Sequence, residues 1–466
     1  RAIFWSTGAI EGAAMWTLRW DLGTITVEGA DLAALPGGFA LDHRVGLSRA
    51  PAFLYAATVE AARAAGVDLV DEARGYNKVA LRHLSGRVPR PYQEEAVRAW
   101  QVGRWRGIVV LPTGAGKSFV AERCMALAGR STLVVVPTID LMSQWIGNLH
   151  AAFGVEIGAL GGGVHDVRDI TVSTYDSAWM HVDKYGHRFG MVVFDEVHHL
   201  PAPAFMRAAE GLIAPLRLGL TATLERPDGR HVDLFPVVGP EVHRVEIPDL
   251  AGDFLAPYET EVIRVALSAD EQAQYEELRG IYKDFVASRQ INMRGPQGWQ
   301  RFIIEASRSK EGRQAFKAFL AAKRIAHGTE RKLEVVRQIL AENRGRRAII
   351  FTNDNHTAMR ISRDLLVPCI THHTDIKERR WILDAFVAGE VHCITTSRVL
   401  NEGVDLPAAE VAIVVSGTST VREAVQRLGR ILRPSEGKTA ILYELVAEGT
   451  TEAAASERRR EHDAYR

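Results

Sequence analysis

Short apolar runs recur along this chain at intervals that alternate with helical spacing. From about residue 86 the runs "GIVVL", "TLVVVP", "ITVST", "MVVFDE" and "LRLGLTAT" are each separated by segments with apolar positions three and four apart. Continuous apolar runs of four to eight residues suit strands buried on both faces, and the intervening periodicity suits crossover helices. A second series follows in "RAIIFTN", "VPCIT", "VHCITTS", "VAIVVSG" and "TAILYEL". The pattern predicts an α/β protein with two parallel-sheet domains, at 86–250 and 333–466. Upstream, "WTLRWDLGTITVEG" alternates with the period of a hairpin and "AFLYAATVEAARAAGVDLV" has helical spacing, predicting a small α+β domain at 15–85. Residues 1–14 precede the first patterned segment and are expected to be a disordered or artefactual extension.

Between the two series, 255–332 reads as irregular and mostly helical. From Val286 to Lys332 eleven Lys and Arg face three Glu, with Trp299, Phe302 and Phe316 interleaved. Such a run is either a solvated helical face or a module that grips phosphates, with Lys323 and Arg324 as candidate contacts.

Composition narrows the class. The 466 residues carry 47% hydrophobic and 24% charged positions and no net charge, so a nucleic-acid partner must be held by local patches. No apolar stretch approaches the roughly 20 residues that span a bilayer, so no membrane association is expected. The three cysteines are scattered and form no CxxC pair, which argues against zinc or iron–sulfur sites and for a reducing cytoplasm.

The chemistry lies at strand ends. "LPTGAGKS" follows a strand and opens a helix, so consecutive N–H groups and a helix N-terminus can surround a phosphate. Thr113, Gly114 and Gly116 form the cradle, Lys117 reaches the β- and γ-phosphates, and Ser118 is a Mg²⁺ ligand. Leu111 stands where the strict P-loop pattern has glycine. In "MVVFDEVHH", Asp195 can hold Mg²⁺ and Glu196 can polarise a water for in-line attack. Gln93 in "PRPYQEEAV" can bond both edges of adenine, and no guanine-reading signature is present, so ATP is the expected nucleotide. Gln426, Arg430 and Arg433 in "AVQRLGRILRPS" fall on one helical face, where the arginines can meet a γ-phosphate.

In order, "LPTGAGKS", "VVVPTIDLMSQW", "TVSTYDSAW", "FDEVHHLPA", "LGLTAT", "IIFT", "TSRVLNEGVDLP" and "QRLGRILRPS" resemble the superfamily-two helicases, and among them the XPB-type helicases, across about 15–455. The resemblance implies two RecA-like domains, a helical thumb, an N-terminal damage-recognition-like domain and ATP-driven 3′–5′ movement on DNA, single-stranded or as a forked duplex. It further implies strand-backbone contacts at Thr138, Thr174 and Ser397, with Gly403 and Asp405 facing the nucleotide. The family's Arg-Glu-Asp triplet, linked to strand separation, aligns with Arg226-Pro227-Asp228, which keeps both charged ends as expected DNA contacts but replaces the middle acid with proline. The implied activity is DNA unwinding or remodelling in repair. Two alternatives are duplex translocation without strand separation and a nucleotide-gated scaffold for a partner nuclease or repair factor.

Overall fold

The computed structural model describes residues 15–226, 228–250, 254, 256–293, 297–397, 409–416 and 439–460. They form two compact units. The first holds the residues through Arg244 apart from the loop Leu111–Ala115, and the second holds that loop and the residues from Val245 onward.

The first unit opens with a five-stranded sheet ordered Ala40–Asp42, Leu47–Pro51, Thr24–Glu28, Met15–Asp21 and Asp68–Asp71. Its hairpin turns on Leu22-Gly23, both at positive φ. The alternating residues Trp16, Leu18, Ile25 and Val27 point into one core with Tyr55 and Ala62 of the helix Tyr55–Ala65. Ile213, from the following domain, completes that core, so the small sheet is docked on its neighbour.

The second sheet has eight strands, ordered Glu241–Arg244, Arg106–Val110, Leu216–Thr221, Met191–Phe194, Thr132–Val136, Ile170–Thr174, Gly158–Gly161 and Val164–Asp166. All pairs are parallel except the last. The central strands are buried along their length, as their unbroken apolar runs require. The order places the ends of Arg106–Val110, Met191–Phe194 and Thr132–Val136 near one another, and ligands of such sheets bind at the carboxyl ends of the strands.

A segment without helix or regular strand joins the two sheets across 72–90. It is pinned to the helix Lys117–Ala128 by Glu122, whose buried Oε2 accepts from Arg87 Nη2 at 2.6 Å and meets His83 Nε2 at 2.9 Å.

In the second unit six parallel strands run Tyr258–Val265, Ala440–Ala447, Val411–Val414, Ala348–Phe351, Cys393–Thr396 and Cys369–Ile370. The span expected to be irregular and helical from 255 therefore begins with an edge strand, Tyr258–Val265, paired at all eight positions with Ala440–Ala447. The helices Ala269–Ser288, Gly298–Arg308 and Lys310–Gly328 follow. Ser268 and Glu271 form a reciprocal capping box at the first of them. Helix Glu330–Glu342 runs across the expected boundary at 332/333, and its Leu333, Val336 and Ile339 lie in the core of the second parallel sheet. No helix among the described residues is long and apolar enough to cross a membrane.

Candidate nucleotide site and strand-facing loops

The strand Arg106–Val110 delivers the chain into Leu111–Ala115, and the helix Lys117–Ala128 leaves from Gly116. Gly114 and Gly116 have φ of +86° and +82°, values that exclude most side chains. A Cβ on Gly116 would stand 2.5 Å from Gln93 Nε2, so glycine here lets the Gln93 amide lie directly against the loop. The Gln93 Oε1 accepts the Arg90 N–H at 3.0 Å, fixing the start of helix Pro91–Val102. The residue expected at adenine is thus buried and oriented beside the phosphate loop.

Asp195 and Glu196 follow the strand Met191–Phe194 and are both buried. Trp145 Nε1 donates to Asp195 Oδ2 at 2.8 Å, the Glu196 N–H to Oδ1 at 3.0 Å, and Tyr175 Oη to the Asp195 carbonyl at 3.0 Å. Burial, reinforced by the neighbouring Glu196 carboxylate, pushes Asp195 up to about 6. Glu196 has φ +47°, a left-handed conformation costing a non-glycine residue about 1–2 kcal/mol. Its Oε1 lies 3.9 Å from Lys117 Nζ. Its buried Oε2, 3.4 Å from His198 Nδ1, makes no hydrogen bond among the described residues.

Two adjacent buried carboxylates, one raised and the other with an orphaned oxygen, fit a divalent cation and a polarised water. Ser118, in the first turn of the phosphate-loop helix, and Asp195 are the residues that would hold the ion.

His198 Nδ1 lies 3.0 Å from Thr221 Oγ1. Thr221 donates its own proton to the Thr223 carbonyl at 2.8 Å, so the imidazole N–H is the donor between them. The Thr-Ala-Thr turn therefore grips the ring two residues beyond Glu196. Arg226 and Asp228, expected on the DNA strand, bond to each other, and Arg226 also reaches the His198 carbonyl. Pro227 lies outside the described residues.

Thr138 and Thr174 are N-caps. Thr138 Oγ1 accepts from the Leu141 N–H at 3.2 Å and Thr174 Oγ1 from the Ser177 N–H at 3.3 Å, opening the helices Ile139–Phe153 and Tyr175–Tyr185. Their strands are neighbours, with Thr174 opposite Val136, so the two helix N-termini stand side by side. The sequence reading passed over Gly161, Gly162 and Gly163, all at positive φ, beside these caps. A Cβ on Gly161 would meet Thr174 Oγ1 at 3.1 Å and Met142 Sδ at 3.3 Å. The signal was present as three consecutive glycines, a backbone that a ligand strand can approach closely.

Ser397 is buried at the end of the strand Cys393–Thr396. Lys323 and Arg324 are exposed on the helix Lys310–Gly328. Lys332, counted in the same basic run, is fully buried against Glu452, and Phe302 is core. Gly403, Asp405, Gln426, Arg430 and Arg433 lie outside the described residues.

A glycine phosphate loop, a strand-end acid pair and a second parallel sheet define a P-loop nucleoside triphosphatase of the RecA-like motor class. The fold is shared with the Pyrococcus furiosus Hef helicase domain (TM-score 0.51, 20% identity, 80% of this chain and 98% of that one). It is also shared with the yeast Dbp5 bound to RNA and ADP BeF3 (TM-score 0.56, 12% identity, 81% and 88%).

The sequence places the chain more narrowly. Residues 18–73 match the Xeroderma pigmentosum group B helicase damage recognition domain, 87–226 the type III restriction enzyme res subunit, and 329–463 the ERCC3/RAD25/XPB C-terminal helicase. The chain is 43% identical over 373 residues to the DNA 3′-5′ translocase XPB2 of Sulfurisphaera tokodaii, covering 80% of this chain and 84% of that protein. It is 34% identical to the DNA 3′-5′ helicase XPB of Mycobacterium tuberculosis, covering 80% and 63%. The chain belongs to the XPB helicase family.

Proposed function

We propose that this protein is an ATP-driven DNA motor that moves 3′ to 5′ and remodels or unwinds DNA in repair. The observation that carries the reading is the convergence of Lys117, Asp195 and the strained Glu196 beside the glycine loop. Lys117 binds the terminal phosphates, and Glu196 orients and deprotonates the attacking water, an effect worth roughly 10²–10⁴ in rate. Mg²⁺ held by Ser118 and Asp195 would neutralise charge developing on the phosphoryl oxygens. The adjoining helix N-termini at Thr138 and Thr174, with Gly161–Gly163, offer backbone N–H groups to a strand's phosphates, which hold register without reading sequence. Ser397, Lys323 and Arg324 are proposed as further strand contacts, with the helices of 269–328 as the thumb. Gly403 and Asp405 are proposed to face the nucleotide, and Gln426, Arg430 and Arg433 to complete its site. A repair factor such as a nuclease is the partner proposed beyond DNA.

One observation favours movement without strand separation: Arg226 and Asp228, the charged ends of the expected wedge, are bonded to each other. Unwinding of a tailed duplex by the isolated protein rejects that second reading, whereas triplex displacement without unwinding supports it.

The test of the main reading is ATP turnover with no DNA, single-stranded DNA and forked duplex. DNA should stimulate the wild type, and Lys117→Ala or Glu196→Gln should abolish turnover. DNA-stimulated turnover near wild-type rates in either variant overturns the site.

A further inference from the structure

The run Glu225-Arg226-Pro227-Asp228-Gly229 begins two residues after the Thr-Ala-Thr turn, and its charged groups are engaged inside the protein. Arg226 Nε and Nη2 form a fork on Asp228 at 2.9 and 2.6 Å. Arg226 Nη1 donates to the His198 carbonyl at 2.5 Å. The Gly229 N–H returns to the Arg226 carbonyl at 3.0 Å, and Asp228 Oδ1 also accepts the Arg230 N–H at 3.2 Å. Glu225 is bonded by Arg244 Nη2 at 2.6 Å. The Arg226 side chain is 22% exposed.

The carbonyl that Arg226 holds belongs to the short turn Val197–His199, directly after Glu196. A non-glycine residue keeps a left-handed conformation only where its surroundings over-determine it. Upstream, the Asp195 N–H is held by the Val135 carbonyl and the Asp195 carbonyl by Tyr175. Downstream, His198 is held through its ring by Thr221 and through its backbone by Arg226. These two holds come from one stretch of chain, Thr221 to Asp228.

We propose that Arg226, aimed by Asp228, is a positioning residue that keeps the Glu196 turn in the shape needed for hydrolysis, and is not a strand contact. This rests on the ATPase reading above. The planar guanidinium serves a carboxylate and a carbonyl on different edges at once. A lysine ammonium, a single point on a flexible stem, cannot reproduce that fork. Meeting a DNA phosphate on the forked edge would require Arg226 to give up Asp228.

The test compares the full-length wild type with Arg226→Ala, Arg226→Lys and Asp228→Asn. Three measurements are made: steady-state ATP turnover, single-stranded DNA affinity across a salt series, and amide hydrogen exchange over 195–200. The proposal expects Arg226→Ala to lower kcat about 10- to 100-fold, the value of one charge-assisted hydrogen bond, with the ATP KM within about twofold. Arg226→Lys should resemble Ala, and Asp228→Asn should shift in the same direction by less. The salt slope of DNA binding should hold, while exchange over 195–200 quickens in both arginine variants.

The opposite result is equally definite. If Arg226→Ala keeps basal turnover while the salt slope falls by roughly 0.7–0.9, one phosphate contact, and Arg226→Lys restores it, Arg226 is a strand residue and the proposal fails. Should the wild type show no ATP turnover, the ATPase reading fails by itself. Exchange over 195–200 then decides the positioning role: unchanged exchange in the arginine variants overturns it, and faster exchange upholds it.

Discussion

Lys332 offers the sharpest test of the packing in the second unit, because its charge is fully buried. Its Nζ donates to Glu452 Oε2 at 2.6 Å and to the Val415 carbonyl at 2.7 Å. Glu452 Oε2 also accepts the Ala447 N–H at 3.0 Å. One ammonium therefore joins the helix Glu330–Glu342 to the ends of two neighbouring strands. Lys332→Met keeps the length and apolar stem but leaves the Glu452 carboxylate without this cation. Removing one partner of a buried pair costs about 3–5 kcal/mol, mainly through the charge left behind. Adding Glu452→Gln removes that charge and keeps an oxygen for the Ala447 N–H, so the double variant should recover most of the loss. Amide hydrogen exchange in Val411–Val414 and Ala440–Ala447 reads this unit alone. At about 1.4 kcal/mol per decade, Lys332→Met should accelerate it roughly 10²- to 10⁴-fold, and the double variant much less. Exchange within about threefold of wild type in the single variant, or a double variant as fast as the single, would refute the reasoning.

Two further outcomes follow from exposure and burial. Charge reversal at both Lys323 and Arg324 should reduce the salt slope of single-stranded DNA binding by roughly 1.4, two phosphate contacts, and an unchanged slope returns that helix to an ordinary solvated face. Burial pushes Cys369 up to about 11 and Cys393 up to about 12, and raises Cys124 as well. The thiolate fractions of Cys369 and Cys393 at pH 8 are then only about 10⁻³ and 10⁻⁴. Thiol titration should therefore be slow in the native protein and fast for all three after denaturation, and a fast native equivalent would contradict this.

The parts of the candidate site most legible in the sequence are those whose chemistry is local. A glycine loop between strand and helix, and an acid pair after an apolar strand, carry their meaning in fewer than ten residues each. What escaped depends on partners far along the chain. Tyr258–Val265 carries charge at Glu259, Glu261 and Arg264 and looks like surface. It becomes a strand only through Ala440–Ala447, about 180 residues later. Lys332 looked like part of a phosphate grip because a one-dimensional charge count cannot see Glu452. Gly161–Gly163 carry no meaning by themselves in the sequence because the helix caps beside them come from two other segments. Arg226, for which the resemblance implies a DNA contact, also holds a carbonyl 28 residues upstream that the sequence does not reveal.

That last contact changes what the Thr221–Asp228 stretch is for. A turn built only to present Arg226 and Asp228 to a substrate would leave them extended, because pairing them neutralises the charge that attracts phosphate. Here Arg226 sustains Asp228 as a carboxylate well below its usual range. The Asp228 carboxylate therefore stays ionised throughout neutral and mildly acidic conditions. The run is a turn, as its Asp-Gly composition suggests, and the turn is also a brace. It stiffens the downstream side of a residue whose backbone would otherwise relax out of the left-handed region. Any displacement of this stretch reaches the His198 ring through Thr221 and its carbonyl through Arg226, and both lie within two residues of the Glu196 carboxylate.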